Sequence, residues 1–334
     1  MLFRSDAIVA QCMAGMSGTE AAELNRLERW RKQPVEWLTV AIVVACFAGW
    51  LILVLAHRSV PAWVSVPAFA LFGGWFLSVQ HELLHGHPFR RTAVNTAVGF
   101  LPLSLWMPFL RYKSLHIAHH QCDLTDPAVD PESFYIPPSV WQQAGTVRRL
   151  YLLAGRTLLG RMTIGVVRGI VVYVANDAAL AWRDRRLRNE WLAHLGGVAA
   201  LCWWLFAIVQ VPVWEYVLGF VLLGYSITHV RAFAEHCAVP SGTRSAVVKA
   251  GPVMSLMYLN NNLHHTHHAQ PDLPWYLLPE LHRELGSDSI ADAGAGLYPG
   301  GYVELFRRHL FSPFCQPDHP LSEGSRPIGA RGLR

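Results

Sequence analysis

Nine of the 17 histidines in this chain fall into groups with metal-ligand spacing. They occur in the runs HELLH (His81 to His85), HIAHH (His116 to His120), EH (Glu235-His236) and HHTHH (His264 to His268). Neutral imidazole is a good ligand for iron, zinc and copper. Residues three and four apart share a helix face. His81 therefore pairs with His85, His116 with His119 and His120, and His264 with His267 and His268, while His265 falls between faces. One zinc takes three or four protein ligands, so this many spaced imidazoles, with His236 as a separate contributor, suggests two metal ions. His87 follows His85 by two residues and should point elsewhere. His57, His194, His229, His282, His309 and His319 lack ligand spacing and read as ordinary surface or core residues. His229 is the least ordinary of them, since it ends an apolar run seven residues before His236.

Two shorter motifs overlap the first group. His81-Glu82-Leu83-Leu84-His85 matches HExxH, in which two histidines bind zinc and the glutamate activates water. A lone zinc leaves the other histidine groups unexplained, and no further aspartate stands out as its third ligand. Glu82 to His85 is also an ExxH, but a carboxylate di-iron bundle needs two of these plus two further glutamates, and no second one is present. An all-histidine dinuclear site fits better.

The elements that must position these residues are membrane helices. The chain has 334 residues, 52% hydrophobic and only 15% charged, against about a quarter charged in a soluble domain. Its net charge of +5 does not call for nucleic acid, because cytoplasmic Lys and Arg are what the positive-inside rule asks of a membrane protein. Four stretches approach the roughly 20 apolar residues a bilayer requires: about 35–56, 60–80, 191–209 and 213–228. The apolar stretch 93–110 contains Pro102 and Pro108 and is expected as a re-entrant or interfacial hairpin. Residues 137–174, punctuated by Arg148, Arg149, Arg156, Arg161 and Arg168, are expected as a cytoplasmic amphipathic helix at the headgroup boundary.

Flanking charge orients the spans. Arg26, Arg29, Arg31 and Lys32 precede the first, Arg90 and Arg91 follow the second, and Arg183, Arg185, Arg186 and Arg188 precede the third. Arg231, Arg244 and Lys249 follow the fourth, whereas the turn 210–212 has no basic residue. The pattern is two hairpins with both termini, and every histidine group, in the cytoplasm. The expected divisions are a cytoplasmic segment 1–34, a membrane domain 35–320 and a disordered tail 321–334 rich in Gly, Ser and Arg. The first roughly 30 residues are polar and lack the apolar core of a cleavable signal. Cys12, Cys46, Cys122, Cys202, Cys237 and Cys315 are dispersed and form no CxxC, so they read as reduced packing residues.

The order HxxxH, HxxHH, HxxHH across four spans resembles the membrane fatty acid desaturase and hydroxylase superfamily. HHQCDLTDPAVDPES after the second box, RAFAEH before His236 and NNNLHHTHHAQPDLPWY around the third extend the likeness over about 60–284. It is similar to the bacterial branch with an NNNLHxxHH third box, near dihydrorhizobitoxine desaturases, which act on amino-acid-like substrates. The resemblance implies an all-α integral membrane protein, with four transmembrane helices and a cytoplasmic helical cap holding a histidine-box di-iron centre, in a bacterial inner membrane. It implies His81, His85, His116, His119, His120, His236, His264, His267 and His268 as ligands of two iron ions. It also implies O2 as co-substrate and a lipid or acyl substrate. Asn260 stands where the family sometimes places a water-bridged asparagine.

Cleaving an unactivated C–H bond needs an oxidant stronger than any side chain, which an oxygen-activating metal supplies, and iron suits an imidazole-rich site with open positions. The chain has no haem, flavin, nicotinamide or iron–sulfur motif, so a ferredoxin or cytochrome-type donor is implied. Arg183 to Arg188 and Arg307 to Arg308 could dock an acidic carrier or simply set topology. Asp123, Asp126, Asp130, Glu132, Glu235 and Asp272 flank the boxes, and one or two of them are expected to accept N–H bonds from ligand imidazoles. Desaturation and hydroxylation remain alternatives on one scaffold, as does a non-enzymatic metal-binding membrane protein.

Overall fold

A computed structural model describes residues 34–320, so the tail 321–334 and all but the last residue of the segment 1–34 lie outside the described residues. The described chain is all-α apart from one short parallel pair, β1 (Val247–Val248) with β2 (Leu297–Tyr298). Five helices are long and apolar enough to cross a membrane: α1 Trp37–Ser59, α2 Ala62–Leu84, then Leu158–Ala181, Arg185–Ile208 and Val213–Ala232. At 1.5 Å per residue, each reaches roughly the 30 Å of a hydrocarbon core. Between α2 and the third long helix lie four short ones, of which the first two are α3 (Thr92–Gly99) and α4 (Phe109–His119). The long helices that follow are α5 (Leu158–Ala181), α6 (Arg185–Ile208) and α7 (Val213–Ala232). The stretch 93–110 thus contains one eight-residue helix, too short to cross.

The expected amphipathic helix over 137–174 is corrected by the structure. That stretch holds Pro138–Gln142, Thr146–Ala154 and then the long apolar α5, which continues to Ala181. Gly145 and Gly155 separate the pieces, and the Thr157 hydroxyl accepts the Gly160 N–H at the new start, a side-chain cap. Of the five arginines, Arg148 and Arg149 fall in Thr146–Ala154 and Arg156 in the turn that follows, while Arg161 and Arg168 lie in the first half of α5. The other spans are also longer than expected. α2 runs to Leu84, so His81 lies within it, and α6 begins at Arg185, where the Asp184 carboxylate accepts the Arg186 and Leu187 N–H groups.

Contact between α2 and α7 is the tightest in the molecule. A Cβ on Gly73 would strike the Phe220 carbonyl, and one on Gly224 would stand 2.8 Å from the Gly73 Cα. In lipid there is no hydrophobic force between helices, so small residues that let backbones touch do the packing. At the tips of the two hairpins, Arg58 donates to Gln210, and one turn deeper Ser65 donates to buried Glu215. Both α2 and α7 then run from those tips to the histidines.

The ends of α5 lie on the histidine side. Its first residue but one, Leu159, donates its N–H to the Leu310 carbonyl, and Arg161 lies over the rings of Phe134 and Phe233, just past the end of α7. Near its other end, buried Asp177 pairs with Arg111 of α4 at 2.7 Å and accepts the Trp191 indole N–H of α6 at 2.9 Å. Only three residues then separate α5 from α6, which itself ends at the opposite side, beside Gln210. Length and composition suit α5 to crossing, while both of its ends contact segments near the histidines. Reporter fusions after Gln143 and after Arg183 are therefore expected to read the same side, opposite to a fusion after Arg58. Opposite readings at Gln143 and Arg183 would show that α5 crosses.

Candidate metal centre

Three elements carry their histidines to one place. His81 occupies the last turn of α2 and His85 caps it. His116 and His119 occupy the last turn of α4, and His120 caps that helix. The third box forms a single short helix, α8 (His264–Ala269). Leu259 and Asn260, both with positive φ (47° and 55°), reverse the chain into it; asparagine tolerates that conformation better than most residues. His236 follows α7 and is bridged to Ser245 in antiparallel fashion.

All nine spaced histidines converge. His81, His85, His116 and His267 form one group, and His119, His236, His264 and His268 another, with ligand atoms within 4.8 Å of one another in each. His120 joins the first group, its Nε2 standing 3.1 Å from those of both His116 and His267. The groups adjoin: the rings of His120 and His268 are 4.2 Å apart.

The outer nitrogens decide what the inner ones can do. His116 Nδ1 donates to Glu132 at 2.8 Å and His119 Nδ1 to Asp130 at 2.8 Å. His236 Nδ1 faces the Arg244 carbonyl at 3.2 Å, and His264 Nδ1 faces the Asn261 side-chain oxygen at 3.1 Å. Each acceptor holds the proton on Nδ1 and leaves Nε2 as a lone pair. Yet His236 Nε2 stands 3.1 Å from His119 Nε2 and 2.9 Å from His264 Nε2. Lone pairs facing one another at that separation repel unless a cation lies among them.

Titration points the same way. Burial, reinforced by neighbouring histidines, pushes His120 and His236 down to about 3 and His264, His267 and His268 well below the ordinary histidine value. Neutral imidazole is the ligand form. His119 goes the other way: burial would lower it, but the hydrogen bond to Asp130 outweighs that and raises it. On Glu132 burial is likewise overcome, by His116, and the carboxylate is held below its usual range.

Of the six flanking acids, Asp130 and Glu132 accept from cluster histidines, and Glu235 lies 3.4 Å from His264 Nδ1 while paired to buried Arg231 at 2.9 Å. Asp123 pairs with Arg244, and Asp126 caps its own turn through the Ala128 N–H. Asp272 makes no contact with a cluster histidine among the described residues. Asn260 does not reach the clusters either; its amide donates to the Trp275 carbonyl, and its neighbour Asn261 is the residue at His264. Spacing gave no usable signal, since positions three and four before His264 are equivalent on a helix and both asparagines precede α8; only the chain reversal at Leu259 and Asn260 separates them. His87 lies outside both groups, 2.7 Å from Glu36. His229 is buried but joins neither group, and His265 turns to Thr243 as its off-face position implied. His57, His194, His282 and His319 bond to Val54, Leu105, Asp288 and Thr125, and His309 packs on Phe314.

A pair of adjoining all-imidazole groups at the ends of membrane-length helices defines a membrane protein built around a metal site. The family model described as fatty acid desaturase matches residues 58–295, well over half of the chain, and the chain belongs to that family. Membership makes it an oxidoreductase of the desaturase and hydroxylase type, associated with lipid. No curated protein matches the chain.

Removing an acceptor that orients a ligand typically costs 10–100-fold in metal affinity. Asp130→Ala is expected to lower metal affinity by about that factor, measured by competition with a chelator, while Asp123→Ala leaves it within about twofold. Equal affinities for the two variants would remove Asp130 from this role.

Proposed function

We propose that the chain is an O2-dependent di-iron enzyme that introduces a double bond into a fatty-acyl, lipid or related substrate. The observation that carries this reading is the convergence of nine imidazoles, four of which (His116, His119, His236 and His264) have an acceptor at Nδ1 that leaves Nε2 facing inward. His81, His85, His116, His120 and His267 would hold one iron, and His119, His236, His264 and His268 the other. The donor set fits iron. Nitrogens about 2.1 Å from a shared metal stand about 3.0 Å apart at right angles but about 3.4 Å apart at the tetrahedral angle zinc prefers. The observed contacts of 2.9–3.1 Å lie nearer the first value. Bound iron supplies the oxygen-activating power that an unactivated C–H bond requires.

The chain's own residues supply geometry and insulation. Asp130, Glu132, Asn261 and the Arg244 carbonyl hold the imidazoles in one tautomer. Burial keeps water from competing for the open positions. Electrons come from a ferredoxin or cytochrome-type partner, and exposed Arg183, Arg186, Arg307 and Arg308 on the histidine side offer it a basic face. In this reading α1, α2, α6 and α7 are the four spans, α5 lies along the boundary, 35–320 is one membrane domain, and the flanking Lys and Arg favour a cytoplasmic position for that face in a bacterial inner membrane. Hydroxylation on the same scaffold is the alternative outcome of the same hydrogen abstraction.

HExxH hydrolysis is disfavoured by where Glu82 goes. Its Oε2 accepts the Trp275 N–H at 3.3 Å, and its Oε1 lies 4.0 Å from the Nδ1 of His81. Glu82 is thus tied to the backbone of another segment.

The purified protein is expected to hold about two iron atoms per chain, and His119→Ala, His236→Ala and His267→Ala each to abolish oxidative turnover, while His194→Ala and His309→Ala retain it. One zinc and no iron by elemental analysis would sink the reading. Glu82→Gln is expected to keep its iron and lose at most roughly 10–100-fold in turnover. Full iron with no detectable product would make Glu82 catalytic.

A further inference from the structure

The third box stands on the smallest support in the site. α8 has six residues and no side-chain cap at its start, and so short a helix does not hold itself. Its roll nevertheless matters to both groups, because His267 belongs to one and His264 and His268 to the other. At about 100° per residue, Thr266 falls roughly 150° from the mean direction of those three rings. Thr266 is fully buried, and its hydroxyl lies 3.0 Å from His282 Nδ1 and 3.0 Å from the Ser287 hydroxyl. His282 belongs to α9 (Leu278–Glu284) and Ser287 begins α10 (Ser287–Asp292), and both are buried too. Behind them, His282 Nε2 is 2.9 Å from Asp288 Oδ1, and Asp288 Oδ2 is 2.6 Å from the Lys249 ammonium, just past β1.

The outer end of this row fixes the order of its donors. The Asp288 carboxylate, paired with Lys249, can only accept, so the His282 ring proton sits on Nε2 and Nδ1 is left as an acceptor. Were Nε2 instead to accept from Lys249, 3.3 Å away, it would oppose a lone pair to Asp288 Oδ1. Burial, with Lys249 beside it, lowers the His282 pKa, which keeps the ring neutral and that acceptor open. Thr266 is therefore the donor to His282, and its oxygen is left to Ser287. If α8 rolled, His282 Nδ1 would become a buried acceptor without a donor, a cost the fold resists. The next position on the back of α8 is held as well. The His265 N–H donates to the Ala246 carbonyl at 3.1 Å, and its Nδ1 lies 3.1 Å from the Thr243 hydroxyl. None of these residues is a member of either histidine group.

We propose that His282, whose spacing gave it no role, is a positioning residue for the third box: backed by Asp288 and Lys249, it accepts the Thr266 hydroxyl and sets the roll of α8 that aims His264, His267 and His268. The proposal rests on the metal reading above for what that aim serves, not for the positioning itself. Asp130 and Glu132 each orient one imidazole, whereas this row orients a helix that bears three. A change in it therefore reaches both groups at once, through residues that touch no ligand ring.

The test uses the full-length protein in an uncharged detergent, with cobalt(II) as the probe. Affinity is measured by competition with a chelator, and ligand geometry by the visible absorption of the bound cobalt. Thr266→Val keeps the shape of the side chain and loses the hydroxyl, whereas Thr266→Ser keeps the hydroxyl. His282→Leu removes the acceptor, whereas His282→Asn keeps one near the Nδ1 position. Ser226→Ala is the control, because it loses a buried hydroxyl that donates to the Met162 carbonyl, in α7 and away from α8. Thr266→Val and His282→Leu are each expected to weaken cobalt binding about tenfold, the scale of one buried acceptor or donor left unpaired, and to shift the spectrum. Thr266→Ser and His282→Asn should bind within about threefold of wild type. A merely structural hydroxyl predicts that Thr266→Val behaves as Ser226→Ala does: a lower melting temperature without metal, and unchanged cobalt affinity and spectrum. That result overturns the proposal. If the valine and leucine variants do not fold, His282→Gln takes their place, since its amide reaches the Nε2 position instead. It should bind cobalt more weakly than His282→Asn, and equal binding overturns the proposal. If wild type takes up no cobalt, the metal reading fails by itself, and hydrogen exchange of the α8 amides decides the positioning. Exchange is expected to be faster in Thr266→Val than in wild type or Ser226→Ala, and equal exchange in all three overturns it.

Discussion

The fold turns on a repulsion. Imidazoles of His119, His236 and His264 are each pinned by an acceptor at Nδ1, and so present bare lone pairs to one another about 3 Å apart. A second proton on His119, which its bond to Asp130 favours, relieves one of these contacts but leaves His236 facing His264. A metal cation relieves both, and in the same stroke joins α4, α7 and α8 through bonds stronger than any packing contact. The outer acceptors therefore do more than orient ligands. They make the empty arrangement unfavourable and so give the metal a share in holding the structure together.

Such a centre demands precise delivery of helix ends, and membrane helices have few ways to provide it. Apolar side chains slide against lipid and against each other at little cost. The backbone contact of Gly73 with Gly224 does not slide, and it sets how far along α2 and α7 the histidines emerge. Asp177 performs the equivalent task for the second box. One buried carboxylate ties Arg111 of α4 to α5 and to Trp191 of α6, so the helix that ends in His116 and His119 is clamped a turn and a half before its ligands.

Charge around the centre is arranged in layers. Neutral imidazoles lie innermost, and carboxylates Asp130, Glu132 and Glu235 lie behind them, partly balancing the cations they enclose. Beyond, on the far wall of one cavity, sit Arg156 and Arg161.

Much of the site was legible before any coordinates, because helical spacing is a local property. Residues at i, i+3 and i+4 share a face wherever the helix lies, so His81 with His85, His116 with His119 and His120, and His264 with His267 and His268 could be grouped from the chain alone, and His265 set aside. Hydropathy likewise marked α1, α2, α6 and α7, since a span depends on its own composition. What needed tertiary structure was every relation between segments: which histidines lie together in each group, that Asp130 and Glu132 but not Asp123 reach them, and that Asn261 and not Asn260 faces His264. The same holds for α5. Its composition is that of a span, and only the tertiary structure shows what its two ends meet, Leu159 with Leu310 and Asp177 with Arg111. The burial of Arg156 and Arg161 was hidden for a like reason. An arginine reads as a surface residue in any linear pattern, and only the packing of Phe134, Phe233 and the 315–316 segment around it takes it out of water.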